Sequence, residues 1–170
     1  MYALQEFATG HPSRHEFLAR GREFLRTAEE AHAAGRLGPS LDTAFSAAEL
    51  LAKAELLSCR PTVELILNRK KHEAIAQPYH AWSHLGNTDG QFAKLLQRLG
   101  RLRGQARYLD GEIVVTTMQA ADILATLRRM EEHVSRVVTA GQVGDVPASF
   151  NVYATRAIKA GELVGAATSP

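Results

Sequence analysis

The stretch RLRGQARYLDGE, residues 101–112, gathers Arg101, Arg103, Arg107 and Tyr108 at the end of a helical pattern that Asp110-Gly111 stops. A guanidinium keeps its proton at any physiological pH and forks onto phosphate or carboxylate oxygens. At about 100° per residue, Arg103 projects roughly 20° from Phe92, inside the apolar arc of Phe92, Leu95, Leu96, Leu99, Leu102, Ala106 and Leu109. A cation on a packed face requires a carboxylate, a ligand phosphate or an open cleft between subunits. Within the chain the natural partner is Glu49, with Lys53 one turn further on in ELLAK. Lys94, Arg98, Arg101 and Gln105 project from the other side of the helix, as a solvated basic face does.

Other residues of chemical interest carry less. His80 and His84 stand one helical turn apart, as do His11 and His15, but two imidazoles need a third ligand to hold a metal, and only His72 or Glu73 offers itself. The lone cysteine, Cys59, has no adjacent histidine, reads as a small packed residue, and excludes a disulfide framework. There is no Walker-type loop, dinucleotide glycine pattern or Ser-His-Asp motif, so no metal and no cofactor is expected.

The elements that must position these residues are helical. Ser13 with Glu16 has capping-box spacing before a periodic run to Gly35. Ser40 is placed to cap a second helix with the stripe Leu41, Ala44, Phe45, Ala48, Leu51, Ala52 and Leu56, ending before Pro61. A connector from Thr62 leads to a short or kinked third helix around Pro78. Helix four spans 91–109, and Thr116 with Gln119 opens a fifth helix to about Ala140. EIVV, residues 112–115, is too short to seed a sheet. The expectation is an all-α protein, an antiparallel four- to five-helix bundle over 1–140, with 141–170 as a C-terminal extension.

A chain of 170 residues, 45% hydrophobic, can bury one core. Its net charge of +2 does not by itself imply nucleic acid, so any electrostatic footprint is local. With no signal-like start and no long apolar run, no membrane is expected, and a reducing cytoplasm fits.

FSAAELLAKAELL, KKHEAIAQPYHAW and LQRLGRLRGQARYLDGE before a helix opening TTMQAADIL together resemble the HEPN superfamily of small helical proteins, over roughly residues 14–138. Many members are metal-independent endoribonucleases that work as dimers, with an Arg followed after four to six residues by a His. That imidazole, with an unperturbed pKa of about 6.5, can take the 2′-hydroxyl proton while the arginine stabilises the phosphate. Counting from Arg103, the His positions are Tyr108, Leu109 and Asp110, none of them histidine. The resemblance therefore carries Arg103 across without a general base, and no catalytic residue is assigned. It is similar in this to members that show Ala-x-Tyr after the arginine, as RGQARY does, and those are generally regarded as noncatalytic or of unknown activity. Arg26–His32 and Arg128–His133 also satisfy the spacing, but about two matches are expected from composition alone, and both sit on other helices.

The resemblance implies a homodimeric module presenting Arg103, Arg107 and Tyr108, with Glu49 and Lys53 nearby, to RNA, a nucleotide or a partner protein such as an antitoxin or nucleotidyltransferase. The alternatives are an endoribonuclease of toxin-antitoxin or defence type and a structural helical adaptor.

Overall fold

The structure is a computed structural model that describes residues 13–58, 73–84, 86–108 and 112–140. These form α1 (Arg14–Ala33), α2 (Leu37–Leu57), α3 (Glu73–His84), α4 (Gly90–Tyr108) and α5 (Thr117–Thr139). The all-α bundle is borne out, and no strand occurs among the described residues. Residues 112–115 run as a connector that turns Ile113 and Val115 toward the core and leaves Val114 exposed. Cys59, His11, His72 and the extension 141–170 lie outside the described residues.

Both capping boxes form. Ser13 Oγ accepts from the Glu16 N–H at 3.2 Å while the Ser13 N–H donates to Glu16 Oε2 at 2.7 Å. That backbone hydrogen bond, then the Ser13 side chain, holds the Glu16 carboxyl below its ordinary range. Thr116 and Gln119 repeat the exchange at the start of α5. α1 ends on Gly35, at φ 70°, where the Gly35 and Arg36 N–H groups close onto the His32 and Ala31 carbonyls.

The start of α2 differs from the sequence expectation. It begins at Leu37 after Arg36, which makes no side-chain cap, and Ser40 is already inside the helix. Pro39 fits because the first turn has no intrahelical acceptor to lose. The Ser40 hydroxyl instead donates to the Ala28 carbonyl of α1 at 2.9 Å, tying the α1–α2 hairpin.

α2 is the central helix. Ala44, Ala47, Ala48, Ala52 and Ala54 are wholly buried along it, and their small side chains let α1, α4 and α5 close in around it. α3 is a short helix that carries Pro78 and packs on α4 and more lightly on α2. The wide apolar arc of α4, with Phe92, Ala93, Leu95, Leu96 and Leu99 buried, is used within the chain against α2, α3 and α5. The breadth of that arc therefore requires no second subunit. α1 and α5 are also clamped outside the core, Arg22 to Glu131 and Arg128 to Glu29.

Two glycines separate packing from propensity. A Cβ on Gly21 would stand 3.0 Å from the fully buried Leu51 side chain, whereas one on Gly100 would meet only Phe45 at an ordinary 3.6 Å. Overpacking costs about 1–3 kcal/mol, more than the roughly 0.5–1 kcal/mol that alanine gains over glycine in a helix. Gly21→Ala will therefore lower the thermal midpoint, and Gly100→Ala will raise it.

Candidate functional site

Two groups of polar side chains lie against the core, and they differ in how well they are satisfied. The first surrounds Glu55, 1% exposed on α2. Its carboxylate accepts from the Tyr79 hydroxyl at 2.6 Å, Trp82 Nε1 at 3.1 Å, His133 Nε2 at 3.0 Å and the Thr88 hydroxyl at 3.4 Å. Because a carboxylate only accepts, His133 carries its proton on Nε2, and its ring leans on Phe92. Burial first, then the Glu55 charge and hydrogen bond, push the Tyr79 phenol well above its ordinary range. This group draws α3, the α3–α4 turn and α5 onto α2, and it is closed to a ligand of any size at Tyr79 and Trp82, which are 0% and 1% exposed. Sequence reasoning passed over it, although Glu55 falls within the α2 apolar stripe next to Leu56 and was visible there as an anomaly.

The second group lies on the α2–α4 seam. The helices run antiparallel, since Gly38 lies against Ala106, Asp42 against Arg103 and Arg107, and Phe45 against Gly100. Arg103 is on the packed face, its side chain 13% exposed and its guanidinium 4.8 Å from the Phe45 ring centroid. Its carboxylate neighbour is Asp42, with Nε 3.5 Å from Oδ1, and not Glu49. Glu49 lies two turns further along α2, about 10 Å on, and pairs with Lys53 at 2.7 Å, while Lys53 also sits over the Phe17 ring. The structure thus brings Arg103, Arg107 and Asp42 together, with Tyr108 beside them, and sets Glu49 and Lys53 apart as a pair of their own.

The seam is incompletely satisfied. Arg103 Nε and Asp42 Oδ1 are both buried, and neither makes a hydrogen bond despite facing each other. Arg107, half exposed, approaches the same oxygen at 3.8 Å and lies 5.9 Å from the ring of Tyr108. Tyr108 is 62% exposed, the one aromatic among the described residues left so open. Chemically this is a cationic edge beside a flat ring, fit to hold an oxyanion and stack a base, with no imidazole on the seam among the described residues.

The other described histidines stand apart from both groups. His80 and His84 meet edge to face at 4.4 Å, His32 donates to the Thr117 carbonyl, and no group of three potential ligands occurs among the described residues. No described helix is long and apolar enough to cross a membrane. Compared with known protein families, curated proteins and solved structures, the chain matches none.

Two outcomes follow from the contrast. A phenol whose folded pKa is raised contributes stability in full below its unfolded pKa of about 10 and loses it as pH rises toward the folded value. Denaturant unfolding at successive pH values above about 10 will show stability falling, by up to about 1.4 kcal/mol per pH unit from this group, and Tyr79→Phe will flatten that fall. At the seam, a double-mutant cycle will couple Arg103→Ala with Asp42→Ala by at least about 0.5 kcal/mol and show none with Glu49→Ala.

Proposed function

We propose that this chain is a HEPN-like helical module that holds a phosphate-bearing ligand, RNA or a nucleotide, at the α2–α4 seam without cutting it. The observation that carries this reading is the buried Arg103 Nε and Asp42 Oδ1 facing each other without a hydrogen bond, on a seam edged by Arg107 and the exposed Tyr108. Buried charged groups are normally hydrogen-bonded, and a phosphate held by Arg107 at the open edge of the seam would offer this under-bonded pair an acceptor beside it. Tyr108 adds a surface on which a base can stack. At neutral pH a phenol is a poor general base, so binding without cleavage is the activity these groups support.

The homodimer belongs to the same reading. Tyr108, Val114 and Met118 are the large apolar side chains left exposed among the described residues, at the end of the bundle where α4 finishes and α5 starts. Pairing through that end would place two seams side by side.

Fluorescence anisotropy with a labelled single-stranded RNA tests the proposal. Binding will weaken as salt rises, with one RNA held per pair of chains. Arg107→Ala and Tyr108→Ala will each cost about 1–2 kcal/mol of affinity while the melting temperature holds, because both side chains are exposed. The RNA will be recovered intact in the presence of a chelator. No binding at low salt overturns the reading, and metal-free cleavage lost in Tyr108→Phe replaces it with an endoribonuclease.

A further inference from the structure

On the other side of α4, about 140° round the helix from Arg103, a cleft of about 220 Å³ opens between α4 and α5. Leu95 and Ile123 form its apolar floor, Lys94 and Arg98 stand one turn apart on the α4 wall, and Asp122 faces them from α5. Arg129, on α5 beside the cleft, donates from Nη2 to the lining Gln91 Oε1 at 3.1 Å and to the lining Thr126 Oγ1 at 3.2 Å, so that it ties the two helices across the gap. Among the described residues none of these three cations meets a carboxylate, and the Asp122 side chain meets no cation.

The charges define a ligand. Two lining cations against one carboxylate leave a local excess of one positive charge, which favours a ligand with two anionic groups and one cationic group. Asp122 would repel a plain dianion, and a ligand ammonium turns that repulsion into a salt bridge, so the same residue that attracts the right ligand rejects the wrong one. At roughly 20–30 Å³ for each non-hydrogen atom, the volume holds about seven to eleven of them.

We propose that the α4–α5 cleft binds a small acidic amino acid, its two carboxylates on Lys94 and Arg98 and its ammonium on Asp122. The bridging Arg129 holds the lining Gln91 and Thr126 together beside the site. None of these residues belongs to the Arg103 seam, so this site stands or falls apart from RNA binding.

Titration calorimetry of the full chain with L-glutamate decides it, with glutarate, glycine and inorganic phosphate as comparison ligands. L-glutamate will bind saturably with a dissociation constant on the order of 1 mM, a value that suits an open cleft. Glutarate, which lacks the ammonium, and glycine, which lacks the second carboxylate, will each bind about tenfold more weakly. Arg98→Ala will weaken L-glutamate about tenfold, and Asp122→Asn will erase the preference over glutarate. Both side chains are exposed, so unchanged far-UV circular dichroism and melting will show that the variants fold. The proposal is overturned by the absence of saturable heat with L-glutamate up to about 10 mM, by glutarate, glycine or phosphate binding the wild type as tightly, or by undiminished affinity in Arg98→Ala.

Discussion

The bundle turns on a carboxylate taken out of water. Glu55 sits on the central helix, and an unpaired carboxylate there would cost several kcal/mol. The donors from Tyr79, Trp82, Thr88 and His133 offset that cost with charge-assisted hydrogen bonds, and each comes from a different stretch of chain or a different turn of α3. Apolar packing alone would let α3 slide, since Ile75 and its neighbours present only a greasy face. The carboxylate accepts from fixed directions, so it sets the register of α3 against α2 and the rotation of α5 at His133. Removing one donor leaves the charge in place with one partner fewer, which is why the hub is worth more than any one of its bonds.

The α2–α4 seam presents the same problem with a different solution. Glu55 and Asp42 are thirteen residues apart on one helix, and each lies against partners from a neighbouring element, yet only Glu55 is saturated. At Asp42 the geometry leaves donor and acceptor facing across 3.5 Å, with the Phe45 ring taking up part of the guanidinium's charge. A fold that saturates the sealed Glu55 carboxylate leaves the partly exposed Asp42 short beside a half-exposed arginine, and the difference lies in access: the hub is sealed, whereas the seam meets solvent at Arg107 and Tyr108. The Arg103–Asp42 ion pair thus lacks its hydrogen bond beside an opening, and the proposed phosphate site rests on that.

Most of the helices were legible because their signals are local. The Ser13–Glu16 and Thr116–Gln119 boxes form as the spacing predicts, and the buried residues of α4 and α5 follow the apolar period. Arg103 was also placed correctly on the packed face, since a stripe reveals a face. Its partner was not, because Asp42 and Glu49 share that side of α2, and only the antiparallel register of α4 decides between them. The Glu55 hub was missed for a related reason: Tyr79 is 24 and His133 is 78 residues away, and no periodicity joins such distant donors to one acceptor. Ser40, a favoured capping residue, misplaced the start of α2, which begins at Leu37 with Pro39 tolerated in its first turn.

α4 joins these regions. Between Gly90 and Tyr108 it carries Lys94, Arg98, Arg101, Arg103 and Arg107 and no carboxylate, so its own charges repel and an isolated peptide of this sequence would gain nothing from side-chain ion pairing. It is held in place by burial, chiefly of Phe92, Leu95, Leu96 and Leu99. Its last turn also favours a cation, since Arg107 lies where the helix carbonyls leave partial negative charge. The carboxylates that face it are supplied from outside, Asp42 by α2 and Asp122 by α5, one on each flank. Among the described residues these two acids cannot neutralise five cations, and the surplus is spread over two separated surfaces instead of one. A helix arranged in this way keeps the bundle together through its apolar side while its charged sides stay available for anions, and that separation of duties allows a chain of nearly balanced net charge to act locally as a base-rich one.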